Sequence, residues 1–264
     1  MFEIRFLFLV AVLAAGALGG AVPLWRGGKG EGRFLGWGNA LAAGVFLGAA
    51  WIHMLPDAAD GWRELGWDYP MGYLLAACGF ILMLLFEHVL LPESAHEVVH
   101  APSNERFAHL RENGRGAFTA YAVLIALSAH SFMAGLALGA QPELAGALVI
   151  FLAIMAHKSI GGFALGVSLV RNRMPTRRAW SLLALFAAAT PLGILVGAGV
   201  GEALDGRMRV ACEAAFLALA AGSFAYVATL DILRDEFLEP GGRWSKWLLV
   251  AFGVGLMGVI ARWV

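Results

Sequence analysis

Apolar residues run along the chain in eight long stretches, and polar residues collect in the gaps between them. A helix needs about 20 predominantly apolar residues to cross the hydrocarbon core of a bilayer. By that measure spans fall near 6–25, 35–55, 70–91, 118–140, 144–169, 180–200, 210–233 and 245–262. No stretch alternates apolar and polar positions with the period of two that a half-buried strand shows. The pattern predicts an all-α integral membrane protein, one transmembrane domain of eight helices over residues 1–264. The one long connection, 92–117, reads as a loop with His96, His100 and His109 among Glu, Arg, Ser and Asn. The first apolar run, Phe6 to Trp25, is longer than the roughly 7–15 residues of a signal-peptide core, so it is expected to stay as a span.

Composition agrees with the bilayer as solvent. The chain is 60% hydrophobic and 14% charged, where a soluble domain carries about 25% charged residues. The formal net charge is zero, so its distribution is the informative quantity. The gaps after spans 1, 3, 5 and 7 hold 13 of the 19 Lys and Arg residues, and the opposite side holds 5. This alternating asymmetry predicts that the basic side is cytoplasmic. Both termini are then outside, the 92–117 loop is cytoplasmic, and the expected location is the cell (inner) membrane. Cys78 and Cys212 lie inside apolar runs and read as small hydrophobes, not as a disulfide framework.

The gap after span 2 carries Asp57, Asp60, Glu64 and Asp68 against Arg63. It is either an acidic mouth that concentrates cations or an ordinary solvated loop. Small residues allow close helix approach in membranes. Gly135 and Gly139 in span 4, Gly161, Gly162 and Gly166 in span 5, and Gly193, Gly197 and Gly201 around span 6 predict that these three spans pack as one unit.

Ionisable residues at membrane depth are costly and mark function by default. Those near mid-span are His130 in span 4, and His157 and Lys158 in span 5. Neutral imidazole suits zinc and other late first-row divalent ions. Two histidines at matching depth on neighbouring helices fit a metal site, a proton relay or a structural hydrogen bond. Met133, one turn after His130, is either a soft ligand suited to Cu⁺ or core filler. Lys158 has no Asp or Glu at matching depth in spans 4 to 6. It either takes the place of a cation or snorkels toward an interface. His53 and Asp57 fall at the outer end of span 2, and Glu87, His88 and Asp231 near the cytoplasmic ends of spans 3 and 7. These suit the two ends of an ion path, or are polar helix ends in the headgroup layer.

Five segments, in chain order, resemble the ZIP (Zrt/Irt-like protein) family of divalent-metal transporters. Leu55-Pro56-Asp57-Ala58 matches the family's LPDA element. His130-Ser131-Phe132-Met133-Ala134-Gly135-Leu136-Ala137-Leu138-Gly139 is similar to its span-4 motif, HSxFEGLAxG. His157-Lys158-Ser159-Ile160-Gly161-Gly162-Phe163-Ala164-Leu165-Gly166 is similar to the span-5 motif, Thr190-Pro191-Leu192-Gly193-Ile194 to SPLGI, and Ala220 to Val227 with Asp231-Ile232-Leu233 to AAGTFLYV…EIL. The resemblance implies a ZIP-type bundle that moves a divalent transition-metal ion into the cytoplasm. Zinc is foremost, with Fe²⁺, Mn²⁺, Cd²⁺ or Cu⁺ as alternatives. It implies an elevator-like motion of spans 1, 4, 5 and 6 past spans 2, 3, 7 and 8.

It further implies metal ligation by His130 and His157 with Met133 and Ser131, and a second site whose positions read Ser131, Lys158 and Thr190. His53, Asp57, Glu87, His88 and Asp231 would guide the ion in and out. The expected partners are the ion, the bilayer and a second copy of the chain. No nucleic acid, resident cofactor or enzymatic activity is expected. Two metal-binding carboxylates of the family pattern are replaced, at Ala134 and at Gly161. The alternatives are therefore a ZIP-fold protein that has lost transport and serves as a sensor or interaction module, or a carrier with altered ion preference.

Overall fold

In hydrocarbon every backbone N–H and C=O must be paired within the protein, and an unbroken apolar run satisfies this by becoming a helix. The computed structural model describes residues 2–26, 32–89, 105–141, 144–200, 206–238 and 241–262, and these contain helices and turns but no strand. The helices are α1 (Phe2–Arg26), α2 (Gly32–Gly48), α3 (Leu55–Glu64), α4 (Met71–His88) and α5 (Glu105–Ala140). They continue with α6 (Leu144–Arg171), α7 (Thr176–Val200), α8 (Gly206–Tyr226), α9 (Arg234–Leu238) and α10 (Arg243–Ile260). Wide π-helical turns, Ala49–Met54 and Val227–Leu233, join α2 to α3 and α8 to α9.

Among the described residues seven helical stretches are long and apolar enough to cross a membrane: Phe6–Arg26, Arg33–Glu64, Val123–Ala140, Leu144–Arg171, Thr176–Gly199, Gly206–Leu238 and Arg243–Ile260. The shorter apolar helix Met71–Leu85 falls at the third predicted span. Two predicted gaps contain helix instead. α5 begins at Glu105, inside the expected 92–117 loop, because a polar helical extension carries no apolar run to signal it. His96 and His100 lie outside the described residues, as does the side chain of His109. Asp57, Asp60 and Glu64 lie on α3, whose first turn holds Pro56, where a missing N–H costs nothing. Arg63 pairs with Asp60 on the same helix.

Glycines set the helix pairing. A Cβ at Gly135 or Gly139 of α5 would run into backbone carbonyls of Thr190 and Ile194 on α7. Gly162 and Gly166 of α6 meet the carbonyls of Gly16 and Gly20 on α1 in the same way. Gly222 of α8 packs on Ala76 of α4, and Gly44 of α2 on Val250 of α10. Spans 4 and 6 thus pack closely as expected. The span-5 glycines Gly162 and Gly166 face α1, a helix the glycine pattern did not include, while Gly161 faces the Phe186 ring on α7. The strongest packings divide the helices into one group of α1, α5, α6 and α7 and another of α2, α3, α4, α8 and α10.

Candidate metal centre

Helix depth brings the two mid-span histidines together. His130 on α5 and His157 on α6 place their Nε2 atoms 3.4 Å apart, with the rings tilted at 47°. His130 is 5% exposed. Its ring also packs on Phe224 of α8, tilted at 57° with centroids 4.8 Å apart, and Phe224 in turn packs on Phe46 of α2. The histidines therefore belong to one helix group and face an aromatic wall supplied by the other.

Lys158, next in sequence to His157, sits in a buried cage of Ser131 and Phe186. Its Nζ donates to Ser131 Oγ at 2.9 Å and to the Phe186 carbonyl at 3.3 Å, and it sits 3.9 Å over the Phe186 ring. The side chain is buried, so snorkelling to an interface is excluded. Gly16 of α1 makes the space, since a Cβ there would stand 2.9 Å from Lys158 Cε. Thr190, one turn after Phe186, is fully buried with no partner for Oγ1 among the described residues. Pro191 follows it and interrupts the α7 hydrogen-bond ladder at that level. Ser131, Lys158 and Thr190, on three different helices of the group that carries the histidines, are buried polar residues.

The remaining candidates are spread out. Met133 is half-buried one turn from His130. His53 sits in the first π-helical turn with its Nδ1 3.0 Å from Asp57 Oδ2. It lies within electrostatic reach of both His130 and His157. Asp231 occupies the second π-helical turn. π-Helical turns of this kind widen a helix locally and recur at functional positions. Glu87 and His88 end α4, and their side chains lie outside the described residues. Ala134, at a position where the family pattern has a carboxylate, packs instead against an apolar cluster that includes Phe8, Val12 and Ile154. Among the described residues no third His, Cys, Asp or Glu joins the two imidazoles.

A buried carboxylate went unnoticed in the sequence. Glu236 on α9 is fully buried and is met by Arg171, Asn39 and Lys246. Arg171 and Lys246 count as loop charges when only hydropathy is read. Yet Arg171 lies in the last turn of α6, and Lys246 is a buried residue in the first turn of α10.

An all-helical bundle with a bis-histidine pair at mid-span defines a class, multi-pass membrane proteins with an intramembrane polar site. Comparison with known proteins narrows it. A family model described as ZIP zinc transporter matches residues 2–115 and 92–261. Zinc transporter ZIP2 of Homo sapiens is 32% identical, over 85% of this chain and 84% of its own. Zinc transporter ZIP1 of Takifugu rubripes is 27% identical, over 84% of this chain and 83% of its own. Probable zinc transporter 12 of Arabidopsis thaliana is 27% identical, over 96% of this chain and 84% of its own. The chain belongs to the ZIP zinc transporter family.

Proposed function

We propose that this chain carries a divalent transition-metal ion, zinc foremost, through the membrane into the cytoplasm, with His130 and His157 as its mid-membrane ligands. The observation that carries the reading is the 3.4 Å separation of the two Nε2 atoms. Two Zn–N bonds of about 2.0–2.1 Å at a tetrahedral angle place their nitrogens about 3.3–3.4 Å apart. The pair already has the bite of a tetrahedral zinc site.

Two neutral imidazoles leave the charge of a divalent ion uncompensated. The ion then keeps waters, or borrows Ser131 or Met133, and is held loosely. Loose holding suits a carrier, which must release as well as bind. Lys158 occupies the second site of the family pattern and engages Ser131 Oγ and the Phe186 carbonyl, so its ammonium stands where a second ion would bind. One ion moves at a time. Names of the family relatives support zinc as the cargo.

The helix grouping supports an elevator-like cycle. Both histidines ride on α1, α5, α6 and α7, while the facing wall of Phe224 and Phe46 belongs to the other group. His53 and Asp57 receive the ion on the outer side, and Asp231, with Glu87 and His88, passes it on inside. The Lys and Arg asymmetry supports inward orientation, with both termini outside a cell membrane.

Zinc uptake into proteoliposomes tests the reading. Wild type fills the vesicles, and the His130→Ala/His157→Ala double variant falls to the empty-liposome rate. Equal flux in both, for each divalent ion, removes the histidines from the path. The lack of a third charged ligand beside them, among the described residues, favours a second reading, a membrane sensor that binds without moving its ion. That reading predicts zinc binding without uptake in the same assay.

A further inference from the structure

The histidine centre leaves unused the other buried polar cluster, at the face of the bundle that carries the arginine-rich connections. Glu236 Oε1 accepts from Arg171, whose Nη2 is 2.6 Å away, and from Asn39 Nδ2 at 3.0 Å. Lys246 Nζ stands 3.2 Å from Glu236 Oε2 and also donates to the Glu236 backbone carbonyl. Gly36 leaves room for the carboxylate, since a Cβ there would stand 2.9 Å from Oε2.

Membership of the two helix groups gives the cluster its meaning. Asn39 on α2, Glu236 on α9 and Lys246 on α10 belong together, since α9 packs on α2, on α10 and on the second π-helical turn. Arg171 alone comes from α6, which carries His157 and Lys158. It closes the last turn of that helix. Beyond it Arg173 adopts a left-handed φ of 49°, and the bonds Met174 N–H to Leu169 O and Arg173 N–H to Val170 O seal the helix end. The guanidinium is thus carried on a rigid terminus. Two turns earlier the same helix presses the Phe163 ring onto Gly38 of α2, and that ring lies edge-on to Phe34 at 6.1 Å.

We propose that Arg171 and Glu236 form a latch between the ion-carrying helix group and the static one, closed in this structure and opened in every transport cycle. The proposal rests on the relative sliding of the two groups described under Proposed function. Any such slide parts a 2.6 Å ion pair. The parting orphans no buried charge, which would be the costly outcome. Asn39 and Lys246 move with Glu236 and keep it paired. The Arg171 side chain is 26% exposed at a helix end and can turn to water or to lipid phosphate. One partner stays satisfied in the interior and the other is satisfied outside, so the contact opens and closes reversibly.

The test uses the whole chain with Cys78→Ser and Cys212→Ser, reconstituted in liposomes, carrying Gly38→Cys and Phe163→Cys where α2 and α6 meet beside the latch. The rate at which a short, reductant-cleavable thiol reagent bridges the new pair reports the latched population. Adding Arg171→Gln lowers that rate at least threefold, while Arg171→Lys keeps more than half of it. An unchanged rate in Arg171→Gln overturns the latch, whether or not the protein carries metal. If that variant does not fold, Glu236→Gln, which retains an acceptor for Asn39, is read by the same criterion. Bridging also cuts zinc uptake at least tenfold, with recovery on reduction, and full uptake through bridged protein overturns the latch as well. A wild-type chain that takes up no zinc defeats the transport reading instead and leaves the bridging result interpretable.

Discussion

Among the described residues the chain buries ionisable groups in two places, and the two are built differently. At the Glu236 cluster the carboxylate meets two cations and an amide on three neighbouring helices, with Arg171 and Asn39 on Oε1 and the Lys246 ammonium 3.2 Å from Oε2. At the histidine centre two imidazoles face each other with no carboxylate beside them among the described residues, and Lys158 is satisfied by a hydroxyl, a carbonyl and a ring. The first arrangement keeps the carboxylate paired throughout, because Asn39 and Lys246 stay with it when Arg171 leaves. The second leaves polar atoms open to a passing ion, because His130 Nδ1, His157 Nδ1 and Thr190 Oγ1 have no partner among the described residues.

The largest effect that would break this contrast is on stability. Glu236→Ala leaves Lys246 buried without its carboxylate and is expected to cost about 3–5 kcal/mol. Thermal unfolding in detergent should show a large drop, and a near-native midpoint would make the cluster dispensable. Gly16→Ala pushes a methyl group against Lys158 Cε, and overpacking of this kind costs about 1–3 kcal/mol. Its unfolding midpoint should fall by less than that of Glu236→Ala, and a larger fall would mean that the lysine cage outweighs the carboxylate cluster.

Smaller effects sharpen the histidine side. Ala134→Glu puts a carboxylate one turn from His130 on the same helix face. It should tighten zinc binding about tenfold, equivalent to about 1.4 kcal/mol, measured by calorimetry. Unchanged affinity would show that the site does not lack charge. Lys158→Asp vacates the second site and should raise bound zinc from one ion per chain to two by elemental analysis, and a stoichiometry still at one would contradict the role given to Lys158. Met133→Ala is expected to alter the preference between Cu⁺ and zinc by only a few-fold. No change in preference would leave Met133 as packing.

Most of the fold was legible because bilayer thickness fixes the length of an apolar run, so hydropathy alone locates the membrane helices. The polar start of α5 and the helical run through Asp57, Asp60 and Glu64 were not, because each carries a helix past the end of its apolar stretch. The π-helical turns were equally hidden, since nothing in Ala49–Met54 or Val227–Leu233 distinguishes them from α-helix. His130, His157 and Lys158 stood out because a polar side chain at mid-span is conspicuous.

Glu236 did not stand out, because it follows Arg234 and Asp235 at a span end and its partner Asn39 is 197 residues away. A signal was present in Lys246, which counts with the loop charges although it falls at the very start of the predicted eighth span at 245–262. The glycine pairing of α6 with α1 was also out of reach, since small residues announce close contact without naming the partner helix.

The central claim is that His130 and His157 hold the ion, and a zinc-edge anomalous difference map from zinc-soaked crystals tests it most directly. The account predicts a peak between the two imidazoles, about 2.0–2.1 Å from each Nε2. A map with no peak there, and ordered zinc only at other residues of the bundle, would contradict it.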